Sequence, residues 1–370
     1  MPLPRLLAAV RLLRRAPLPG QWAVLLAGSA IMVALLELAH LPAALLLGPM
    51  LAAIGAAIAE TGVRVKPAVF SAAQGVVGCM MARGIPLSFL DVVARDWPIF
   101  LAGVLSAMAL ATLLGWILTR WQVLPGTTAV WGSSPGAATA MVLMAESFGA
   151  DMRLVAFMQY LRVVCVAICA SLMSIFFTNG GGHGVQEIIW FPAVSWTALA
   201  ETVVIAVGGG LLARRMHMPA GSLLVPCIIS AVLQGSGLIV LTLPPWLLAI
   251  SYAFVGWSIG LRFTSQVIRH AMHSFPRVLA STLVLIAACA GFGAVLAHFA
   301  GLDPLTAYLA TSPGGADSVA IIAASSDVDL PFVMSMQVVR LVLVMLTGPA
   351  VARMVARHVE AHPRKRPPRR

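Results

Sequence analysis

Several stretches of this chain contain no charged side chain over 18 or more residues, and this feature limits the possible folds most strongly. Among them are residues 101–119, 163–184, 216–260 and 278–302. A helix of about 20 apolar residues crosses roughly 30 Å of hydrocarbon, so the third stretch is long enough to cross twice. Only 10% of all residues are charged, which excludes an ordinary soluble surface. The sequence therefore predicts an all-α polytopic membrane protein.

Basic residues cluster at both ends of the chain, in residues 5–15 and 364–370, and the formal net charge is +11. Lys and Arg are enriched on the cytoplasmic side of membrane proteins, beside anionic lipid. We therefore predict a cytoplasmic N-terminal segment at 1–21 and a cytoplasmic tail at 357–370, with nucleic-acid binding as the less favoured alternative. The N-terminal end also has features of a signal peptide. No clear small-residue cleavage motif follows its apolar run, which favours an uncleaved first span.

The chain contains an internal duplication. Residues 133–162 (SSPGAATAMVLMAESFGADMRLVAFMQYLR) align without a gap with residues 311–340 (TSPGGADSVAIIAASSDVDLPFVMSMQVVR), at a constant offset of 178 positions. Identical positions include Ser-Pro-Gly, an Asp, Met-Gln and an Arg, which a shared apolar bias does not bring into one register.

Each copy is predicted to hold six apolar segments, giving about 10 to 12 membrane segments in all. In the first copy they are residues 22–40, 42–60, 68–85, 98–119, 127–147 and 152–178. In the second copy they are residues 195–213, 219–239, 245–262, 277–299, 304–326 and 330–352. We expect a first membrane repeat at 22–178, an external linker at 179–194 and a second repeat at 195–356.

Loop charges predict the orientation of the two copies. The linker region 178–186 has no Lys or Arg, so we place it outside while the N-terminus lies in the cytoplasm. This requires an odd number of crossings in the first copy, so one of its segments turns back or crosses only halfway. The second copy is then upside down relative to the first. Inverted repeats with interrupted helices are the organisation of many secondary transporters, which bind solute where the two halves meet.

The motifs Ser134-Pro135-Gly136 and Ser312-Pro313-Gly314 predict a break in one helix of each copy. Proline removes a backbone donor and clashes with the preceding turn, and glycine tolerates the resulting conformation. The freed carbonyls need partners, which a cavity with solute or ion can supply. We therefore predict that both motifs line a solute site, in segments that either cross or re-enter.

Arg162 and Arg340 lie about ten residues into their segments, on the order of 15 Å along a helix. A guanidinium facing lipid at that depth is costly, so both are expected to face a partner or a wet cavity. Gln159 and Gln337 lie one turn earlier on the same helix face. Two interpretations stay open: these side chains bind solute directly, or each Arg caps the carbonyls of a broken helix or pairs with a carboxylate of the other copy.

Asp317 is the candidate for ion coupling, because the first copy has Thr139 at the equivalent position. The alternative is an ion pair with Arg162 or Arg340. Four hydroxyl side chains are candidate hydrogen-bond donors to a solute, namely Ser134, Thr139, Ser312 and Ser318. Their alternative role is hydrogen bonding to carbonyls of their own helix.

Asp151 and Asp329 begin the last segment of each copy, where an acidic side chain is predicted to cap a helix N-terminus. His270 and His273 form a close histidine pair in a basic loop, and no carboxylate accompanies them. There is no HExxH motif and no phosphate loop. We therefore expect no metal, no cofactor and no enzymatic activity.

The two copies of SPG, followed by D and MQ..R, together with the upstream LGPM, resemble the bacterial AbrB-type membrane protein family. The resemblance covers residues 25–355 and implies a tandem AbrB duplication related to broken-helix, inverted-repeat transporters. Members are often given an ammonia monooxygenase label, and the family name also carries an association with regulation of gene expression. Nothing here resembles the unrelated soluble DNA-binding domain of the same name.

These features favour a secondary transporter of a small solute in the bacterial inner membrane, with both termini cytoplasmic. An anionic solute is favoured by Arg162 and Arg340, and H⁺ or Na⁺ is the expected coupling ion at Asp317. Partners are then the lipid bilayer and the solute, no nucleic acid, and a further copy of the chain in a homo-oligomer. The alternatives are a non-transporting membrane regulator and, less favoured, a membrane oxygenase.

Overall fold

A computed structural model of the chain describes residues 16–39, 43–83, 97–120, 128–134, 145, 150–177, 190–218, 221–272 and 274–360. Every regular element within these ranges is a helix, as the uncharged stretches predict. The helices are α1 (Leu18–Leu38), α2 (Ala44–Ile58), α3 (Pro67–Arg83), α4 (Trp97–Arg120), α5 (Thr128–Ser133), α6 (Met152–Phe177), α7 (Trp196–Arg215), α8 (Gly221–Gly235), α9 (Pro245–Gly260), α10 (Ser265–Ala271), α11 (Phe275–Ala300), α12 (Pro304–Thr311), α13 (Ala316–Ala324) and α14 (Leu330–Glu360).

Five of these helices are long and apolar enough to cross a membrane: α1, α4, α6, α7 and α11. Helices α2, α8 and α9 are apolar but have 15 or 16 residues, so each extends about 24 Å at most. The predicted segments at 42–60, 219–239 and 245–262 are thus helical over only part of their length. Helix α14 continues beyond the predicted end at 352, and α10 falls between two predicted segments.

The first three helices of each copy pack against those of the other copy in a reciprocal manner. Helix α2 lies on α9, and its equivalent α8 lies on α3, the equivalent of α9. Gly256 and Gly78, which are 178 positions apart, make these crossings close. A Cβ atom on Gly256 would lie 2.6 Å from the carbonyl oxygen of Leu46, and one on Gly78 would lie 2.3 Å from that of Leu223. The duplication is therefore also present in the packing.

The remaining helices of the two copies form a second packed group. Helix α4 contacts its equivalent α11, with Ala107, Ala111, Leu285 and Cys289 in one apolar cluster. Early in α4, Gly103 faces Phe292 of α11, whereas the residues near the end of α4 lie beside the start of α11. The two helices therefore run antiparallel. Helix α5 packs on α4 and α6, and α12 packs on α11 and α14.

The predicted helix break is present in the second copy. Helix α12 ends at Thr311, the backbone of Ser312 is extended with φ −58° and ψ 137°, and α13 begins at Ala316. In the first copy α5 ends at Ser133, and residues 135–144 lie outside the described part of the chain.

Substituting the two crossing glycines by alanine tests the close packing of the copies. Gly78→Ala and Gly256→Ala each place a Cβ against a backbone oxygen, and such overpacking costs about 1 to 3 kcal/mol. We expect a lower melting temperature of the purified protein in detergent. Gly208→Ala is the matched control, because no atom lies within 4 Å of the added Cβ. Equal melting temperatures for all three variants would contradict this packing.

Candidate functional site

The break in the second copy is held by two side chains of α14. Gln337 donates from Nε2 to the carbonyl of Leu309 at 2.8 Å. Arg340 donates from one terminal nitrogen to the carbonyl of Ser312 and from the other to that of Gly314 at 2.8 Å. These are carbonyls that a continuous helix would have satisfied, so the Gln and the Arg replace the missing intrahelical donors.

The first copy repeats this arrangement with side chains of α6. Gln159 donates from Nε2 to the carbonyls of Trp131 and Ser134, both at 3.0 Å. Arg162 donates from Nη1 to the carbonyls of Ser133 and Ser134, both at 3.2 Å. In both copies the Arg also donates to Oε1 of its Gln, at 2.7 Å for Arg162 and Gln159. Both arginines therefore cap backbone carbonyls, which is one of the two interpretations that the sequence left open.

The two acids that begin α6 and α14 cap these helices, which confirms the prediction from the sequence. Asp151 Oδ1 accepts from the backbone of Leu154 at 3.2 Å, and Asp329 Oδ1 accepts from that of Phe332 at 3.0 Å. The backbone N–H of each Asp donates in turn to a threonine, Thr128 or Thr306, at 3.1 Å. These bonds link α5 to the start of α6 and α12 to the start of α14, the two helices that carry the arginines.

Both arginines are buried and are held by backbone carbonyl dipoles. Arg162 is 3% exposed and Arg340 is 6% exposed. Among the side chains that the structure describes, neither guanidinium has a carboxylate within 4 Å. The carbonyls they contact lie at the C-terminal ends of α5 and α12, where the helix dipole is negative. This partial negative charge helps to offset the cost of burying each cation.

The two capped breaks are neighbours. Gly314 lies against Val166 of α6, one turn beyond Arg162, so that a Cβ on Gly314 would come 2.8 Å from its side chain. Thr311, at the end of α12, donates to the carbonyl of Cys289 at 3.2 Å. The motifs of the two copies therefore converge on one region between α6, α11 and α12.

The other predicted site residues fall into two sets. Ser134 donates its hydroxyl to Val130 at 2.7 Å and Ser312 donates to Leu309 at 3.1 Å, so both hydroxyls bond to their own helix. Ser318 is buried in α13, and Pro313 lies within the break. Four predictions fall outside what the structure describes, namely those for Pro135, Gly136, Thr139 and the side chain of Asp317. The backbone of Asp317 lies in the first turn of α13.

A cavity beside Arg162 adds residues that the sequence analysis did not select. It is a small, partly open space between α4, α5, α6 and α11, and its described lining includes Ser281 and Thr282. The alignment of the two copies could have indicated Ser281 and Thr282, since the first copy has Gly103 and Val104 at the equivalent positions. This is the same one-copy asymmetry that singled out Asp317.

Within the described residues, no three His, Cys, Asp or Glu side chains lie together as a group that could hold a metal ion.

The helices and the two capped helix ends define a class: a protein of membrane type whose described elements are all helices, built from a duplicated unit in which Gln and Arg cap a helix end. The chain belongs to the AbrB family, whose family model, described as "Transition state regulatory protein AbrB", matches residues 45–356. This confirms the resemblance drawn from the motifs.

Two relatives show how far the similarity extends. The chain is 45% identical over 337 residues to "Putative regulator AbrB" of Escherichia coli (strain K12), which covers 91% of this chain and 97% of that protein. It is 25% identical over 300 residues to "Uncharacterized protein YhjN" of Bacillus subtilis (strain 168), with 76% and 77% covered.

Replacing a capping glutamine by leucine tests the site. In Gln337→Leu the carbonyl of Leu309 keeps only the Ser312 hydroxyl as a donor and the buried guanidinium of Arg340 loses an acceptor, which costs about 1 to 3 kcal/mol. We expect a lower melting temperature in detergent, and the same for Gln159→Leu. The control is Gln234→Leu, because the buried Oε1 of Gln234 has no hydrogen-bond partner among the described residues. Loss of stability in this control alone would contradict the capping role.

Proposed function

We propose that this AbrB-family protein is a secondary transporter of a small anionic solute, and that its two repeats are inserted in opposite orientations. The observation that carries the proposal is the pair of helix ends, each capped by a buried Gln and Arg and lying in one region. Transporters built from inverted repeats place interrupted helices around a central solute site. A purely structural core gains nothing from two broken helices and two buried cations.

The helix directions support the opposite orientations. The equivalent helices α4 and α11 run antiparallel, as two copies related by an axis in the membrane plane require. With the N-terminus in the cytoplasm of a bacterium and the chain in the inner membrane, this orientation also puts Arg120, Arg277 and the C-terminus on the cytoplasmic side.

The charges support an anionic solute. Two buried guanidinium groups lie at the capped helix ends, where they contact backbone carbonyls. Helix α13 starts beside Arg340, and its N-cap residue is Gly315, which has no side chain to cap the N-terminal N–H groups. Helix N-termini and arginines are the groups that proteins use to bind anions.

Asp317 is assigned to the coupling ion, H⁺ or Na⁺. It lies in the first turn after the break, and Thr139 replaces it in the first copy. One acidic group in a duplicated site gives a single ion site for each solute site. The proposal includes no enzymatic activity, metal or cofactor.

Uptake into proteoliposomes tests the transport proposal. The purified protein is reconstituted with an inward H⁺ or Na⁺ gradient and offered labelled monocarboxylates, dicarboxylates, amino acids, phosphate and sulfate. We expect gradient-driven uptake of one class, and at least a tenfold lower rate for Arg340→Lys, which keeps the charge but not the two carbonyl contacts. Arg269→Gln removes an exposed arginine and serves as the control.

The same assay separates coupling from solute binding. Asp317→Asn is expected to lose gradient-driven uptake and to keep exchange of solute across the membrane, since exchange needs no net ion movement. Asp303→Asn is the matched control, because Asp303 caps α12 and asparagine caps equally well. Uptake at the wild-type rate in Arg340→Lys and in Asp317→Asn would remove the site assignment. A membrane regulator without transport activity gives no uptake with any solute.

A further inference from the structure

Basic residues lie near one end of the helix pair formed by α3 and α7. Arg64 and Lys66 precede the first residue of α3, and Arg214 and Arg215 are the last two residues of α7. All four residues are exposed. They form one surface only if the end of α7 lies beside the start of α3, which the contacts between the two helices decide.

Two glycine contacts fix the alignment of α3 and α7. A Cβ atom on Gly75 of α3 would meet the carbonyl oxygen of Ala206 in α7. A Cβ atom on Gly210 of α7 would lie 2.6 Å from the carbonyl oxygen of Ser71 in α3. The contact thus moves four residues toward the end of α7 as it moves four residues toward the start of α3, so the helices run antiparallel. One further turn, about 6 Å along the axis, brings the end of α7 beside the start of α3. The basic corner is the surface formed there by Arg64, Lys66, Arg214 and Arg215.

The loop that carries part of the basic corner is anchored. Arg64 donates from Nη1 to the carbonyls of Thr61 and Val63, at 3.3 and 2.8 Å. The backbone N–H of Gly62 donates to Oε1 of Gln21, near the start of α1, at 2.7 Å. The loop is therefore held both by its own arginine and by α1, and its cations have a fixed place beside α7.

Two acidic residues belong to the neighbouring elements. Glu60, just after α2, accepts from the hydroxyl of Ser265 and lies 3.9 Å from Arg269, so its carboxylate is engaged by residues of α10. Glu201 lies 13 residues before Arg214 in α7, about 20 Å away along the helix. The basic corner therefore keeps a net positive charge.

An exposed apolar face of α7 leads to the basic corner. Val204, Gly208, Leu211 and Arg215 are spaced by three or four residues, so they share one face of the helix. Val204 is 69% exposed, Leu211 is 39% exposed, and no atom lies within 4 Å of a Cβ added to Gly208. Because α7 is long and apolar enough to cross a membrane, this face is placed to contact lipid chains, with Arg215 at its end.

The equivalent helix ends of the other copy are not basic. The helices equivalent to α7 and α3 are α1 and α9. Residues 35–39, at the end of α1, and residues 241–246, at the start of α9, contain no Lys or Arg, and Glu37 is the charged residue among them. Packing of the duplicated unit thus does not require cations at this position, and the basic corner calls for a different explanation.

We propose that the basic corner binds the head group of an anionic phospholipid. Its phosphate lies on Lys66, Arg214 and Arg215, and an acyl chain lies along Val204 and Leu211. Arginine and lysine bind phosphate through charge-assisted hydrogen bonds, and clusters of them at a membrane surface attract anionic lipids. The apolar face of α7 favours a lipid over a free phosphate ion, which has no group to place there. This site goes beyond the transport function and does not depend on it.

Competition binding to the purified protein in a neutral detergent is the test, with fluorescently tagged phosphatidylglycerol as the probe. Unlabelled phosphatidylglycerol is expected to compete at least about tenfold better than phosphatidylcholine with the same acyl chains, because phosphatidylcholine has no net charge. Inorganic phosphate in large excess is expected not to displace the probe. Displacement by inorganic phosphate would show a site for phosphate alone and would overturn the lipid assignment.

A double substitution links the binding to the basic corner. Arg214→Gln with Arg215→Gln removes two of its four cations, and we expect about fivefold or weaker binding of phosphatidylglycerol. The matched control is Arg120→Gln with Arg277→Gln, which removes two exposed arginines near the end of α4 and the start of α11. This control is expected to bind phosphatidylglycerol like the wild type. Melting temperatures of both double variants show whether they are folded.

The possible results decide the proposal without reference to transport. Loss of affinity in the Arg214 and Arg215 double variant alone supports the site. Wild-type affinity in that variant overturns it. An equal loss in the Arg120 and Arg277 control also overturns it, because binding would then follow the total charge of the protein. Since no uptake is measured, failure of the lipid site leaves the transport proposal standing, and failure of transport leaves the lipid site standing.

Discussion

The bond between a buried guanidinium and the carbonyls of a broken helix is the interaction on which the rest of this structure depends. A break in an apolar environment leaves carbonyls without donors, and a buried arginine has a charge without a partner. Arg340 on Ser312 and Arg162 on Ser134 resolve both problems at once. Because each feature makes the other tolerable, the Ser-Pro-Gly motif and the Arg occur together in both copies, 28 residues apart.

The duplication places these two bonds in one region. The first three helices of each copy pack reciprocally through Gly78 and Gly256, while α6 and α14 bring the capped breaks together around α11 and α12. One packed group therefore joins the copies, and the other contains the two buried arginines and the carbonyls they bind. Helix α13 of the second group also contacts α3 of the first. The second group is not symmetric between the copies. The first copy has Val104 at the position of Thr282 and Thr139 at the position of Asp317.

The aligned motifs were enough to predict the break, the capping acids and the Gln and Arg pairs, because each depends on residues within about 30 positions. The reciprocal packing was not predictable, since Gly256 meets Leu46 across more than 200 residues and glycine spacing alone does not select a partner helix. The cavity was missed for a related reason. Ser281 and Thr282 are ordinary residues of an apolar helix until α4, α5 and α6 close around them.

The most direct test of opposite orientations is side-specific labelling of single cysteines at equivalent positions. Arg120→Cys and His298→Cys lie 178 positions apart at exposed sites near the ends of α4 and α11. The wild type, whose five cysteines are buried or half-buried, gives the background. With an impermeant maleimide on intact cells, the account predicts labelling of His298→Cys, and labelling of Arg120→Cys only after permeabilisation. Labelling of both from the same side would show parallel copies and contradict the account.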